Sequence, residues 1–236
     1  YFATLLTRLG IADEVNKKAM TFSRGFYVAD AVADGRAEIG VHDDEIAVGV
    51  VGRLVWEKGY REVFEAARQL ADTSAKVRFV VVGPTDFDKA DAITSDDIAA
   101  AEAIGNVTFL GHRSDVEALY GAFDIYVLAS YREGFPRSAM EAAAMGLPIV
   151  ATDIRGCRQV VDRERTGLLV PVRDPAALAS AIDRLARDAD TRSEMSIAAV
   201  AKAHAEFDQH RVIDITLDTY RRLLEDHGIA VPARVA

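Results

Sequence analysis

From position 46 onward, apolar residues come in short runs. They lie at 46–51, 77–82, 107–110, 124–128, 148–151 and 167–170. Runs of this length suit strands rather than helices. Because they do not alternate with polar residues, neither side of such a strand can face water. Between them the apolar residues recur at helical spacing, at about 59–72, 88–104, 115–122, 136–145 and 156–162. Strand and helix in strict alternation predict parallel strands joined by crossover helices. The expected fold class is therefore α/β: a doubly wound parallel sheet of about six strands, Rossmann-like, with helices on both faces.

Beyond the last strand, Asp174-Pro175 opens another helix, with the aspartate as cap and the proline at the first helical position. Further helices are expected at about 191–206 and 209–226, the last stopped by Gly228. Residues 1–45 show no clear period beyond short helical stretches at 1–9 and 12–20. The pattern divides the chain into an N-terminal arm or linker (1–45), a Rossmann-like domain with C-terminal helices (46–228) and a tail (229–236).

Composition narrows the functional classes. The chain has 236 residues, half of them hydrophobic, which is enough to bury a sizeable core. Lys+Arg 28 against Asp+Glu 37 gives a net charge of -9, which argues against nucleic acid or an anionic membrane as a partner held by the overall field. No run approaches the roughly 18 apolar residues of a membrane span, and no signal peptide is visible. The single cysteine, Cys157, excludes an internal disulfide and fits a reducing compartment. The expected location is cytoplasmic, with the inner face of the membrane reached only through a parent enzyme.

In doubly wound sheets, ligands sit beyond the carboxyl ends of the strands, so chemistry is sought in the loops there. After the first strand comes Gly52-Arg53-Leu54-Val55-Trp56-Glu57-Lys58-Gly59. This is neither a dinucleotide fingerprint nor a P-loop. It does put two cations, Arg53 and Lys58, on one strand-to-helix connection, which suits a diphosphate. After the third strand, Ser114 or Asp115 reads as a helix cap, and His112 lacks plausible metal partners. After the fourth strand comes Glu133-Gly134-Phe135-Pro136-Arg137-Ser138-Ala139-Met140-Glu141. Gly134 lets the backbone approach something closely. Pro136 suits the first turn of a helix. The free N–H groups and positive end of that helix suit an anion. After the fifth strand, Gly156 fits a close backbone approach, and Arg155 and Arg158 would lower the pKa of Cys157. No metal-ligand cluster is present, and no metal is expected.

Several stretches together carry a family resemblance. They are Gly52-Arg53-Leu54 with Lys58-Gly59; Glu133-Gly134-Phe135-Pro136 with Glu141-Ala142; Gly146-Leu-Pro-Ile-Val-Ala-Thr-Asp153; and Thr166-Gly-Leu-Leu-Val-Pro171. In order and spacing the chain resembles the C-terminal, donor-binding half of a GT-B glycosyltransferase. More narrowly it is similar to family 4, the retaining group related to glycogen and sucrose synthases. The resemblance implies transfer of a sugar from a UDP-sugar or GDP-sugar to a hydroxyl, with no further cofactor, in polysaccharide or lipid-linked glycan synthesis. It implies that Arg53 and Lys58 hold the diphosphate, helped by the N–H groups of Arg137 and Ser138. It implies that Glu133 sits beside the transferred sugar with the backbone of Gly134 and Phe135, and that Glu141 binds the ribose. The segment around Arg113 would meet the base through its backbone.

Many family members carry Asn where Arg137 stands, and an arginine there reaches a phosphate or a charged sugar. The resemblance also implies an acceptor glycan, or lipid-linked glycan, held by an N-terminal domain missing from these 236 residues. Without that domain little or no turnover is expected. A non-catalytic nucleotide-binding or interaction module, and another GT-B-like enzyme such as an epimerase or phosphorylase, are the alternatives.

Overall fold

The computed structural model describes residues 36–73, 75–85, 89–207 and 209–227. Most of the stretch at 1–45, and Gly228 with the tail, lie outside the described residues. Six strands form one sheet: β1 (Ile46–Val51), β2 (Val77–Val82), β3 (Val107–Gly111), β4 (Ile125–Leu128), β5 (Ile149–Thr152) and β6 (Gly167–Val170). All pairings are parallel, in the order β3-β2-β1-β4-β5-β6. This is the doubly wound arrangement expected from the alternation. Strands β4, β5 and β6 are buried along their whole length, as unbroken apolar runs require.

The helices are α1 (Tyr60–Leu70), α2 (Ser95–Glu102), α3 (Val116–Gly121), α4 (Arg137–Ala144), α5 (Arg155–Val160), α6 (Pro175–Arg187), α7 (Ala189–Glu206) and α8 (Gln209–Asp226). Local chemistry explains where several begin. Helix α2 starts seven residues later than the apolar spacing suggests, because Thr94 and Asp97 form a reciprocal capping box at its N-terminus. Asp174 caps α6 by accepting from Ala177 N at 2.9 Å, with Pro175 at the first helical position. Asp115 occupies the cap position of α3 but makes no capping bond; its carboxylate is taken by Arg113 instead.

The larger part of the core lies where α1 and α6 pack over one face of the sheet. There Val63, Phe64 and Ala67 of α1 meet Leu178, Ile182 and Leu185 of α6, over Val48, Val50, Ile125 and Val127. The sheet is also fastened at its N-terminal end. Arg36 donates to Ala122 O, Glu45 O and Asp124 Oδ2, and Asp124 in turn accepts from Ala47 N at 2.7 Å.

The chain divides into two compact units, one of which holds the described residues 36–201 and the other those from 202 to 227. In the second unit, Tyr220 and Leu223 lie one turn apart on α8 and are both exposed. No described helix is long and apolar enough to cross a membrane.

Candidate donor-binding site

Strands β1 and β4 are neighbours in the sheet although two strands separate them in sequence. The connection after β1 leads toward β2, and that after β4 leads the other way toward β5. Their carboxyl ends therefore diverge and leave a crevice between them. A cleft of about 350 Å³ opens there. Its floor includes Gly52 at the end of β1 and Leu128 at the end of β4. Its walls bring together Arg53, Lys58, Glu133, Arg137, Ser138 and Glu141. Six of the nine residues singled out from the sequence thus share one cavity.

The loop after β1 is held by a glycine. Gly59 has φ 79°, and a Cβ there would lie 2.0 Å from Ala129 O. Only glycine lets the turn after Lys58 butt against the backbone that leaves β4. Tyr131 strengthens the same junction. Its N–H donates to Glu57 O at 2.9 Å, and its hydroxyl donates to the Glu62 carboxylate at 2.8 and 3.0 Å. The Arg173 guanidinium lies 4.9 Å from the centre of its ring.

Joining the two loops puts Lys58 Nζ 2.6 Å from Glu133 Oε1. Ser130 Oγ donates to the same oxygen at 2.7 Å. Ser130 is itself buried, and its carbonyl accepts from Thr152 Oγ1 at 2.6 Å. Oε1 of Glu133 is therefore taken twice, whereas Oε2 has no hydrogen-bond partner among the described residues. The two paired side chains are only 23% and 12% exposed, so solvent screens the pair weakly.

Sequence reasoning expected a close backbone approach at both Gly134 and Gly156. Within the protein it is Gly156 that makes one. A Cβ on Gly156 would sit 2.5 Å from Glu133 O and 2.8 Å from Gly134 O, whereas a Cβ on Gly134 would meet nothing within 4 Å. The first turn of α5 thus supports the glutamate loop from behind.

Pro136 stands one position earlier than expected, as the N-cap of α4 rather than inside its first turn. The first intrahelical bond runs from Met140 N to Pro136 O. The N–H groups of Arg137, Ser138 and Ala139 are left without helical acceptors, at the positive end of the helix. Glu141 lies one turn further along α4. Burial raises its carboxyl pKa, while the Tyr120 hydroxyl and the Arg137 charge pull the other way. The Tyr120 hydroxyl lies 3.1 Å from Glu141 Oε2 and 3.1 Å from Ser138 O.

Three expected residues stand apart from the cavity walls. Gly134 and Phe135 are exposed on the loop beside it, with Phe135 46% exposed. Arg113 follows β3 at the sheet edge, and its guanidinium grips Asp115 at 2.6 and 2.8 Å. The expectation for Cys157 is overturned. Its thiol is fully buried and pushed up to about 11, chiefly by that burial, rather than lowered by the flanking arginines. Arg158 is drawn off to Asp153 at 3.1 Å. Ser130, Tyr120 and Thr152 were not foreseen as part of the site. Single polar residues at a strand end or in a short helix carry no pattern that would announce them. Among the described residues, no group of His, Cys, Asp and Glu is placed to hold a metal ion.

The comparisons agree with this fold. The chain is 32% identical over 186 residues to the N,N'-diacetylbacillosaminyl-diphospho-undecaprenol alpha-1,3-N-acetylgalactosaminyltransferase of Campylobacter jejuni subsp. jejuni serotype O:2, covering 78% of this chain and 46% of that protein. It is 32% identical over 201 residues to the D-inositol 3-phosphate glycosyltransferase of Saccharomonospora viridis, covering 81% and 46%. Among solved structures, sucrose-phosphate synthase from Thermosynechococcus elongatus matches with TM-score 0.73 and 30% identity, over 82% of this chain and 49% of that one. Anabaena Alr3699/HepE in complex with UDP matches with TM-score 0.76 and 26% identity, over 83% and 54%. The chain thus spans about half the length of these relatives. By contrast it covers 97% of a solved C-terminal domain, that of the group 1 protein LpcC from Francisella tularensis, with TM-score 0.67 and 23% identity over 80% of this chain. The sheet is the Rossmann-like fold of the C-terminal half of a GT-B glycosyltransferase. Residues 33–202 match the family described as Glycosyl transferases group 1, and the chain belongs to that family.

Proposed function

We propose that this chain is the donor-binding half of a retaining glycosyltransferase. The donor is a nucleoside diphosphate sugar, a UDP-sugar or GDP-sugar. The acceptor is a hydroxyl on a glycan or lipid-linked glycan, held by the part of the parent protein that its relatives have beyond this length. The observation that carries the reading is the convergence of Arg53, Lys58, Glu133, Arg137, Ser138 and Glu141 on one crevice at the switch point of the sheet.

In this reading, the oxygen of the acceptor hydroxyl replaces the diphosphate oxygen on the anomeric carbon, and the acceptor's proton leaves with the diphosphate. The difficult part is the negative charge that builds on the departing group. Arg53, Lys58 and the N–H groups of Arg137 and Ser138 stabilise that charge from fixed positions. Glu133, anchored through Oε1, offers Oε2 to the hydroxyls of the transferred sugar, beside the backbone of Gly134 and Phe135. Glu141 accepts from the ribose. The backbone around Arg113 borders the base. Two relatives named for undecaprenol-linked and inositol phosphate acceptors support a glycan-building role, and a UDP complex of a structural relative supports UDP as the donor nucleotide.

The test is isothermal titration of this chain with UDP, GDP and pyrophosphate. A saturable signal from one nucleoside diphosphate, stronger than that from pyrophosphate, is expected. No signal from any nucleoside diphosphate at millimolar levels would overturn the donor-site reading in favour of a non-catalytic module.

A further inference from the structure

Three tyrosines lie beneath the cleft, each with its ring in the core. Tyr60, Tyr120 and Tyr126 are among the largest fully buried side chains of the protein. Their hydroxyls point at the cleft lining: Tyr60 donates to Gly52 O at 3.1 Å and Tyr126 to Val51 O at 3.3 Å. Tyr120 differs from the other two. Its hydroxyl, with a single proton to donate, lies 3.1 Å from two acceptors, Ser138 O and Glu141 Oε2. Ser138 O, in the first turn of α4, is also an acceptor for the helix's own ladder. The carboxylate, in contrast, has no other hydrogen-bond partner among the described residues.

Burial opposes the charge on Glu141, and a glutamate with three free torsions has no reason to hold one rotamer on a helix of small residues. One fixed hydroxyl beneath it answers both problems. It satisfies Oε2 from the protein side of a residue that lines the cleft. The ring is itself fixed, with its centroid 5.9 Å from that of Tyr126 and 6.2 Å from that of Phe123.

We propose that Tyr120 is a positioning residue for ribose recognition: its buried hydroxyl holds the Glu141 carboxylate in the one orientation that accepts from the ribose hydroxyls of the bound nucleotide. The inference rests on the donor-site reading above. It adds that discrimination between a ribonucleotide and its dideoxy form depends on a residue that never touches the ligand.

The test is titration of the chain with UDP and GDP, each against its 2′,3′-dideoxy counterpart, and with pyrophosphate. The wild-type chain is expected to prefer the ribose form by on the order of tenfold or more, the usual size for hydrogen bonds to a charged acceptor. Tyr120→Phe should bring that preference close to unity while leaving pyrophosphate binding unchanged. Tyr126→Phe removes a neighbouring buried hydroxyl that does not touch Glu141 and should keep the preference. Tyr120→Phe retaining the full preference, or Tyr126→Phe losing as much of it, would overturn the inference while leaving the donor site standing. A wild-type chain with no ribose preference would overturn the assigned role of Glu141 and the inference with it. Tyrosine Cζ resonances of the wild-type chain provide a second reading that needs no variant. The Tyr120 signal should move on adding the ribonucleotide and stay in place with the dideoxy form, and equal responses to the two would overturn the inference.

Discussion

Glu133→Gln should tighten binding of a nucleoside diphosphate, although it removes a residue expected beside the transferred sugar. The reason is the pairing across the cleft. Lys58 sits 2.6 Å from Glu133 Oε1, with the two side chains 23% and 12% exposed. That lies between an exposed ion pair, worth about 0–1 kcal/mol, and a buried one, where removing a partner costs about 3–5 kcal/mol. About 1–2 kcal/mol is a fair figure for what Lys58 gives up when it turns to a diphosphate. A hydrogen bond to a charged oxygen returns about 1.5–3 kcal/mol, so the net gain through Lys58 is about 1 kcal/mol. Removing the charge on residue 133 frees Lys58 and should tighten UDP or pyrophosphate binding by about 1–2 kcal/mol, roughly five- to thirtyfold. Lys58→Ala should weaken it by about 1 kcal/mol, roughly fivefold. In the Lys58→Ala background, Glu133→Gln should have no effect on diphosphate affinity. Calorimetric titration of the two single variants and the double variant at neutral pH closes this cycle. Weaker binding in Glu133→Gln, or the same tightening with Lys58 absent, would refute the competition between the carboxylate and the diphosphate.

Other expectations rest on separate contacts. Gly156→Ala places a methyl 2.5 Å from Glu133 O, so the glutamate loop must move. A stability loss of about 1–3 kcal/mol, typical of overpacking, is expected together with weaker nucleotide binding; unchanged melting and affinity would show that the loop yields freely. Cys157, buried and pushed up to about 11, should resist a thiol reagent at neutral pH until the protein is denatured. Rapid labelling of the folded chain would contradict its burial. For Glu141 the folded carboxyl is raised above its ordinary value, mainly by burial. Its charged form therefore opposes folding most at pH above the raised value, and this penalty is relieved as pH falls toward the usual carboxylate range. With Glu141 accepting from the ribose as proposed, nucleotide binding should run the other way and weaken as acidification begins to protonate Glu141. A Glu141→Gln chain should bind less tightly at neutral pH and lose this dependence. Identical pH profiles for the two chains would remove Glu141 from the ribose.

Much of the fold was legible because it rests on local regularities. Six short apolar runs predict six strands, and all six appear within one residue of the expected bounds at either end. Asp174-Pro175 opens α6 as its composition predicts. The misplaced start of α2 has a local cause as well: the apolar spacing extends back past Thr94, but the capping box formed with Asp97 sets the boundary. The site was only partly legible. Arg53, Lys58 and the Glu133–Glu141 stretch stand out because charges and a glycine-proline turn follow apolar runs. Ser130, Thr152 and Tyr120 do not, since their roles depend on partners far along the chain: Thr152 reaches Ser130 across 22 positions, and Tyr120 reaches Glu141 across 21.

The sequence by itself determined the class of fold, the loops that line the cleft and the sign of the charges there. Period, length and turn residues are properties of neighbours along the chain, and the ligand edge of a doubly wound sheet follows from its topology. Tertiary structure alone decided how the two glutamates are used. Lys58 and Glu133 are 75 positions apart. They meet only because β1 and β4 lie side by side and Gly59 brings their loops into contact. That meeting commits one oxygen of Glu133 within the protein, and burial beside Tyr120 sets the environment of Glu141. Such effects depend on distance and on exclusion of water, and both exist only once the chain has folded.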